Sequence, residues 1–223
     1  GDQVVDHSTM GYFMVRFRTE IVELFAQVVE ICQERGLIEF DLLAIDSVKL
    51  RASASYKQSK TLEGLQKEEN KIKARLEEIL DTARDAHGAD AEERRTLERR
   101  AERVKEARQI LLDRVREKAR EASEKEKKEL LEKEKVNVTD PDAHVMQQAN
   151  GEKNPAYSIT TTTDVANDIV THIQVNAQDN DAAALGPAIE GSRQNTAEMH
   201  EEVEADAGFA SMENYESLEA EGQ

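Results

Sequence analysis

The stretch LLAIDSVKLRASAS, Leu42–Ser55, decides the fold. It is an apolar run that ends on one carboxylate, Asp46. A charge inside a buried strand is costly unless it is paired or binds a cation. Leu37 to Leu50 reads as a strand entering a core, with Leu42, Ala44, Asp46, Val48 and Leu50 on one face. A second stretch, EEVEADAGF, repeats the logic: Val203 and Ala205 lead to Asp206, and Gly208 stops the strand. If the two strands lie parallel and adjacent, the carboxylates converge at one edge of the sheet. The helix before the second strand would then supply a right-handed crossover.

Ahead of this stretch, Asp6-His7-Ser8-Thr9 offers helix N-caps. From Thr19 the residues Ile21, Leu24, Phe25, Val28, Val29 and Ile31 make one apolar face, and Gly36 after Arg35 is a C-cap signal, so a helix is expected from about Thr19 to Arg35. After it, Tyr56 to Lys135 has no proline and is rich in Glu, Lys, Arg, Ala and Leu, all strong helix formers. Leu62, Leu65, Ile72, Leu76, Ile79 and Ala83 form a seam, which Leu97, Ala101, Val104, Leu111 and Val115 resume. Between them, Gly88 ends one helix, and Asp90 with Glu93 fits a capping box for the next. An antiparallel helical hairpin, coiled-coil in character, is the simplest structure. One long helix in a parallel dimer is the alternative, against which Gly88 argues. Toward Glu134 the second helix is almost wholly charged and is expected to project into solvent.

Beyond the insert, Asp140-Pro141 marks a turn. Tyr157 to Thr163 and Ile169 to Val175 alternate as an antiparallel hairpin. Ala182 to Arg193 is helix-like, Glu202 to Asp206 is a short strand, and Ser211 caps a last helix, Met212–Glu221, with Leu218 and Tyr215 inward. The fold class is therefore α/β. Residues 1–40 form an N-terminal helical segment, 41–55 with 136–223 the sheet domain, and 56–135 a helical insert after the first strand.

The 223 residues suffice for one or two domains, and 35% are charged, which fits a modest core with a long solvated helical element. A single cysteine, Cys32, cannot form an internal disulfide. With no apolar run of membrane-spanning length and no signal peptide, the setting expected is cytoplasmic, away from the membrane. Charge is uneven. Residues 1–60 carry 7 basic and 9 acidic side chains, 61–135 carry 21 of each, and 136–223 carry 2 and 17. The acidic last third repels nucleic acid unless cations or another segment intervene.

Converging Asp46 and Asp206 suit oxygen-loving divalent cations, Mg²⁺ or Mn²⁺. A two-metal site activates water or a 3′-hydroxyl and stabilises the leaving oxygen in phosphoryl transfer. Lys49 and Arg51, close to Asp46 in sequence, either hold DNA phosphates or balance local charge. The arginine run that includes Arg95 and Arg99 either tracks a DNA backbone or is a solvated face laced with i,i+4 pairs; zero net charge favours the solvated face. The five histidines show no zinc spacing, and no Gly-rich phosphate loop occurs. Asp164 and Asp168 read as turn residues with no other role.

Four blocks carry a family resemblance. IDSVKLRASAS (Ile45–Ser55), VNVTDPDAHVMQQANGEKNPAYSITTTTD (Val136–Asp164) and ADAGFASMENYESLEAEG (Ala205–Gly222) resemble, in order, blocks of bacterial insertion-sequence transposases of the DDE type. DHSTMGYFMVRF (Asp6–Phe17) is a looser match. The resemblance implies a ribonuclease-H-like mixed sheet and an Asp-Asp-Glu triad binding two Mg²⁺ (or Mn²⁺). It places the first two carboxylates at Asp46 and Asp206, with DNA at the transposon ends as partner and a homodimer as a second expectation. Ser47 and Val48 replace the family's Gly-Thr. The family's Glu lies well beyond the second Asp, and Glu213, Glu216, Glu219 and Glu221 are too close to it. A transposase fragment with two of three metal ligands, inactive alone, is thus the expectation. The competing reading is a non-enzymatic coiled-coil interaction protein, with the helical insert as its working part.

Overall fold

The computed structural model describes residues 6–82, 90–120, 122–148, 150–176 and 181–221. Helices α1 (His7–Arg16), α2 (Arg18–Glu34), α3 (Leu62–Thr82), α4 (Asp90–Lys118), α5 (Glu124–Lys133), α6 (Leu185–Thr196) and α7 (Met212–Glu221) accompany seven strands. These are β1 (Leu42–Arg51), β2 (Ser59–Lys60), β3 (Val136–Asn137), β4 (His144–Gln147), β5 (Lys153–Asp164), β6 (Ile169–Asn176) and β7 (Glu202–Ala205). The class is α/β with a mixed sheet, in the order β4-β5-β1-β7, with β6 also on β5. The chain divides into two compact units. One comprises Gly1–Val48, Ile159–Asn176 and Asn180–Gln223; the other comprises Lys49–Ser158 and Ala177–Asp179.

In the first unit, β1 pairs with β7 in parallel, with Leu42 opposite Glu202 and Ile45 opposite Ala205. Leu43 and Ile45 point into an apolar cluster with Ala184, Leu185, Ala188, Ile189 and Phe209. The alternate face, Asp46, Val48 and Leu50, is exposed. Polar side chains fill the space between β5, β6 and α6. Thr162 Oγ1 and Thr171 Oγ1 are 2.7 Å apart, and Ser192 Oγ donates to Thr171 Oγ1 at 2.7 Å. Asn195 Nδ2 donates to the Thr171 carbonyl at 2.8 Å, and Thr196 Oγ1 to that of Ser192 at 3.0 Å. Gly36 takes the left-handed φ of +66° expected of a C-cap glycine after α2. Ser211 Oγ accepts from Asn214 N, capping α7. Leu218 packs inward there, but Tyr215, expected beside it, is 57% exposed.

In the second unit, α3 and α4 pack antiparallel. Arg75 binds Glu93 and Arg100 binds Glu68, so positions run in opposite senses along the two helices. Leu65 and Ile72 meet Val104, Ala107, Leu111 and Val115, with Val136 and Val138 closing the cluster. The seam is aliphatic because the 3-4 spacing keeps one stripe apolar. Glu93 accepts from Arg75 Nε at 2.7 Å and Nη2 at 3.1 Å; the Asp90 side chain of the expected capping box lies outside the described residues. The expected break at His87-Gly88-Ala89 lies outside the described residues. The end of the insert also differs from expectation. A separate helix, α5, starts at a capping box formed by Ser123 and Glu126. Its Leu130 and Leu131 pack on the α3–α4 cluster instead of projecting into solvent. Two apolar residues in an otherwise charged run suffice to turn one face inward. No described helix is long and apolar enough to cross a membrane.

Candidate metal centre

Asp46 lies on β1 one step past the last β1–β7 pair, Ile45 and Ala205, and Asp206 is the residue that follows β7. Neighbouring strands run about 4.8 Å apart, so continuing the register by one step sets Asp46 opposite Asp206 at the carboxyl end of β7. Asp46 Oδ1 accepts from the backbone N–H of Ser47 at 2.7 Å. Asp206 caps the 3-10 turn Ala207–Phe209, and its Oδ1 accepts from Gly208 N at 2.7 Å. Each carboxylate is thus fixed through one oxygen, while the second takes no hydrogen bond among the described residues. Ser47 Oγ bonds Thr160 Oγ1 at 2.8 Å, which anchors β1 to β5 directly beside Asp46. Both aspartates are exposed.

Gly208 is needed by close approach. A Cβ there would sit 2.9 Å from Asp206 Oδ1 and 3.7 Å from Asp181 Oδ2. Asp181, which precedes the 3-10 turn Ala182–Ala184, therefore reaches the same corner as Asp206. Nothing in its sequence context marks it, because 25 positions separate it from Asp206. Among the described residues, no group of three or more His, Cys, Asp or Glu gathers in metal-holding geometry. The donor set is two carboxylates. Mg²⁺ keeps several waters and commonly takes one or two carboxylates plus substrate phosphates, so the pair fits such an ion.

The chain has no match among protein families, characterised proteins or solved structures.

The cationic residues expected near DNA are spread out. Alternation along β1 puts Lys49 and Arg51 on the Leu43 face, opposite to Asp46, so adjacency in sequence is not adjacency of side chains. Arg95 and Arg99 are exposed on α4, and Arg99 Nε donates to the Arg95 carbonyl at 3.3 Å. Their neighbours are paired: Arg94 with Glu98 at 2.8 Å and Arg100 with Glu68 at 2.6 Å. Ion pairs of this kind lace part of the α4 surface.

Sequence reading missed the most constrained carboxylate of this unit. Asp164 is fully buried. Its Oδ2 accepts from Glu39 N at 3.2 Å and Phe40 N at 3.1 Å, and its Oδ1 from Ala166 N at 3.2 Å. His200 Nε2 lies 3.2 Å from Oδ2. Burial holds the His200 ring below the usual histidine range, partly offset by Asp164. A neutral His200 donates Nε2–H to the carboxylate. Phe40 carries a left-handed φ of +62°, and its ring centre lies 5.1 Å from that of His200, tilted by 53°. Glu201 N and Glu202 N donate to the carbonyls of Phe40 and Asp41. Asp164 is thus more than a turn residue: it ties the lead-in to β1 and the lead-in to β7 to the end of β5. That sets the β1–β7 register on which the Asp46–Asp206 pairing depends.

Proposed function

We infer that the chain carries two metal-holding carboxylates of a DDE-type DNA strand-transfer enzyme, Asp46 and Asp206, on a ribonuclease-H-like sheet. The observation that supports this is the parallel, in-register β1–β7 pair, which brings the two aspartates together across 160 positions of sequence. In open α/β sheets, ligands bind outside the carboxyl ends of the strands. Support for the ribonuclease-H-like sheet comes from the order β6-β5-β1-β7 and from the helices that intervene in sequence between β1 and β5.

Magnesium, when bound, supplies Lewis acidity toward phosphoryl and hydroxyl oxygens. The chain's own part is to hold two oxygens at fixed spacing. Ser47 N–H and Gly208 N–H each pin one oxygen of a carboxylate, so the other is aimed without loss of side-chain freedom on binding. Two carboxylates at close range repel, and a cation between them relieves this. The competing reading, a non-enzymatic coiled-coil interaction protein with the helical insert as its working part, has less support because the α3–α4 stripe is already buried against α5, β3 and Val138 and is not free for a partner.

The test is incubation of the chain with Mg²⁺ or Mn²⁺ and labelled donor DNA, beside Asp46→Asn. With two protein carboxylates a second metal is held weakly, so no nicking by the chain alone is expected. Metal should raise DNA retention severalfold in the parent and not in the variant. Equal metal dependence in both would sink the reading. Nicking that the variant loses would show that another residue present here completes the site.

A further inference from the structure

Most of the chain's positive charge lies in one unit. Of the 30 Lys and Arg, 26 fall within Lys49–Ser158, although the whole chain has a net charge of −17. Within that unit a cavity of about 280 Å³ opens between the ends of α4 and α5 and the start of β5. Lys118, Lys133, Lys135 and Lys153 line it, with Glu134 as the one carboxylate among the described residues. Lys118 is taken by Glu134 at 2.8 Å and Lys133 by Glu129 at 3.1 Å. The remaining two lack a carboxylate partner among the described residues. Lys135 donates to Tyr56 Oη at 3.2 Å and sits 5.3 Å from the centre of its ring. Lys153 begins β5 at the exposed rim.

Four lysines from three places in the chain, the end of α4, Lys133 with Lys135, and the start of β5, line one hollow. Glu134 and Glu129 offset Lys118 and Lys133, so the charge left for an incoming anion is that of Lys135 and Lys153. Two further groups complete the chemistry. Tyr56 offers a hydroxyl, and His144 of β4 lines the same space. Burial, then Arg114 and Lys118, push the His144 ring down to about 4, so at neutral pH it is uncharged and keeps one N–H to donate. The volume is just under the roughly 300 Å³ at which sites for small organic molecules begin, and suits an ion or one phosphodiester unit.

We propose that this cavity binds a phosphate group, held by Lys135 and Lys153 with hydrogen bonds from Tyr56 and His144. The phosphate belongs either to a nucleic-acid backbone or to a small free phosphate. Ammonium–phosphate contacts are charge-assisted and strong, and Lys acts in them as a point charge that accepts several phosphate geometries. The proposal does not depend on the metal reading of Asp46 and Asp206, since no residue is shared.

The experiment is done in EDTA at constant ionic strength, so that no divalent ion contributes. The full chain is titrated with pyrophosphate in one arm and with a short DNA duplex in the other, and the His144 ring is followed by NMR across pH. A bound anion favours the charged imidazole, so the His144 midpoint should rise saturably from its depressed value. Lys135→Gln with Lys153→Gln should weaken binding by about tenfold or more, the size expected for losing charged hydrogen bonds. Lys153→Gln alone, at an exposed position, should give a smaller loss and guards against misfolding of the double variant. Saturation in the pyrophosphate arm only identifies a free phosphate, and in the DNA arm only a backbone phosphate; either supports the site. An unmoved His144 midpoint in both arms, or equal affinity in the parent and both variants, would overturn it.

Discussion

Leu111 and Asp164 are both fully buried, one in each compact unit, and their surroundings share almost nothing. Leu111 sits on α4 among Leu65, Val104, Ala107 and Val115, where any apolar group of similar volume would do. Asp164 sits at the end of β5 among three backbone N–H donors and a histidine, where only a carboxylate satisfies all four. Around it Thr160, Thr162, Thr171, Ser192 and Thr196 are buried as well, joined through hydroxyls rather than methyl groups. An aliphatic core loses stability in proportion to what is removed. A satisfied polar network strands its partners when one member goes. The unit bearing the candidate metal centre is therefore the less tolerant of the two.

Asp164→Ala should show this most strongly. It leaves three partly buried N–H bonds and the buried His200 without their acceptor, at a cost of about 3–5 kcal/mol in urea unfolding. Asp164→Asn, which keeps an acceptor oxygen, should cost clearly less; equal losses would mean that volume rather than hydrogen bonding matters there. Leu111→Ala removes apolar contacts and leaves a cavity, for about 2–4 kcal/mol. If Leu111→Ala proved the costlier of the two alanine changes, the contrast between the units would fail.

Gly191→Ala comes next. A Cβ on Gly191 would lie 2.4 Å from the His172 ring, so α6 or the imidazole must shift. Overpacking of this kind costs about 1–3 kcal/mol. Recovery in Gly191→Ala with His172→Ser would assign the loss to that contact, and no recovery would contradict it.

The smallest effect is a pH dependence. The His144 pKa is lowered to about 4, and those of His172 and His200 are also lowered, in each case chiefly by burial. The unfolded chain takes up these protons near pH 6.5, before the folded chain does. The stability they contribute is thus present above about pH 6.5 and lost as pH falls toward the folded values. For His144, which is only partly buried, the loss between pH 7 and 5 is about 1 kcal/mol after allowing for solvent. His144→Gln should flatten that slope, and an unchanged slope would show that the ring charges freely in the folded state.

The same contrast explains what could be read from sequence. α2, the α3 and α4 seam, β6 and β7 follow periods that apolar residues announce. The parallel meeting of β1 and β7 was legible because each short run ends on an aspartate. β4 was not, since His144-Val145-Met146-Gln147 alternates neither polarity nor size. α5 was hidden because only Leu130 and Leu131 interrupt its charges. The Asp164 network was invisible for a deeper reason: its partners lie 36 and about 125 positions away, and threonines buried by hydroxyl pairing look like surface residues. The face of Lys49 and Arg51 was a matter of strand parity, which closeness in sequence obscures.

Asp46 and Asp206, in the proposed site, hold one ion jointly. Mn²⁺ titration followed by amide NMR tests this directly, because Ser47 N–H and Gly208 N–H each touch one of the two carboxylates. Both signals should broaden together at the same Mn²⁺ concentration, and Asp46→Asn should abolish the effect at Gly208 as well as at Ser47. Broadening at different concentrations, or a Gly208 response that survives Asp46→Asn, would contradict a shared site.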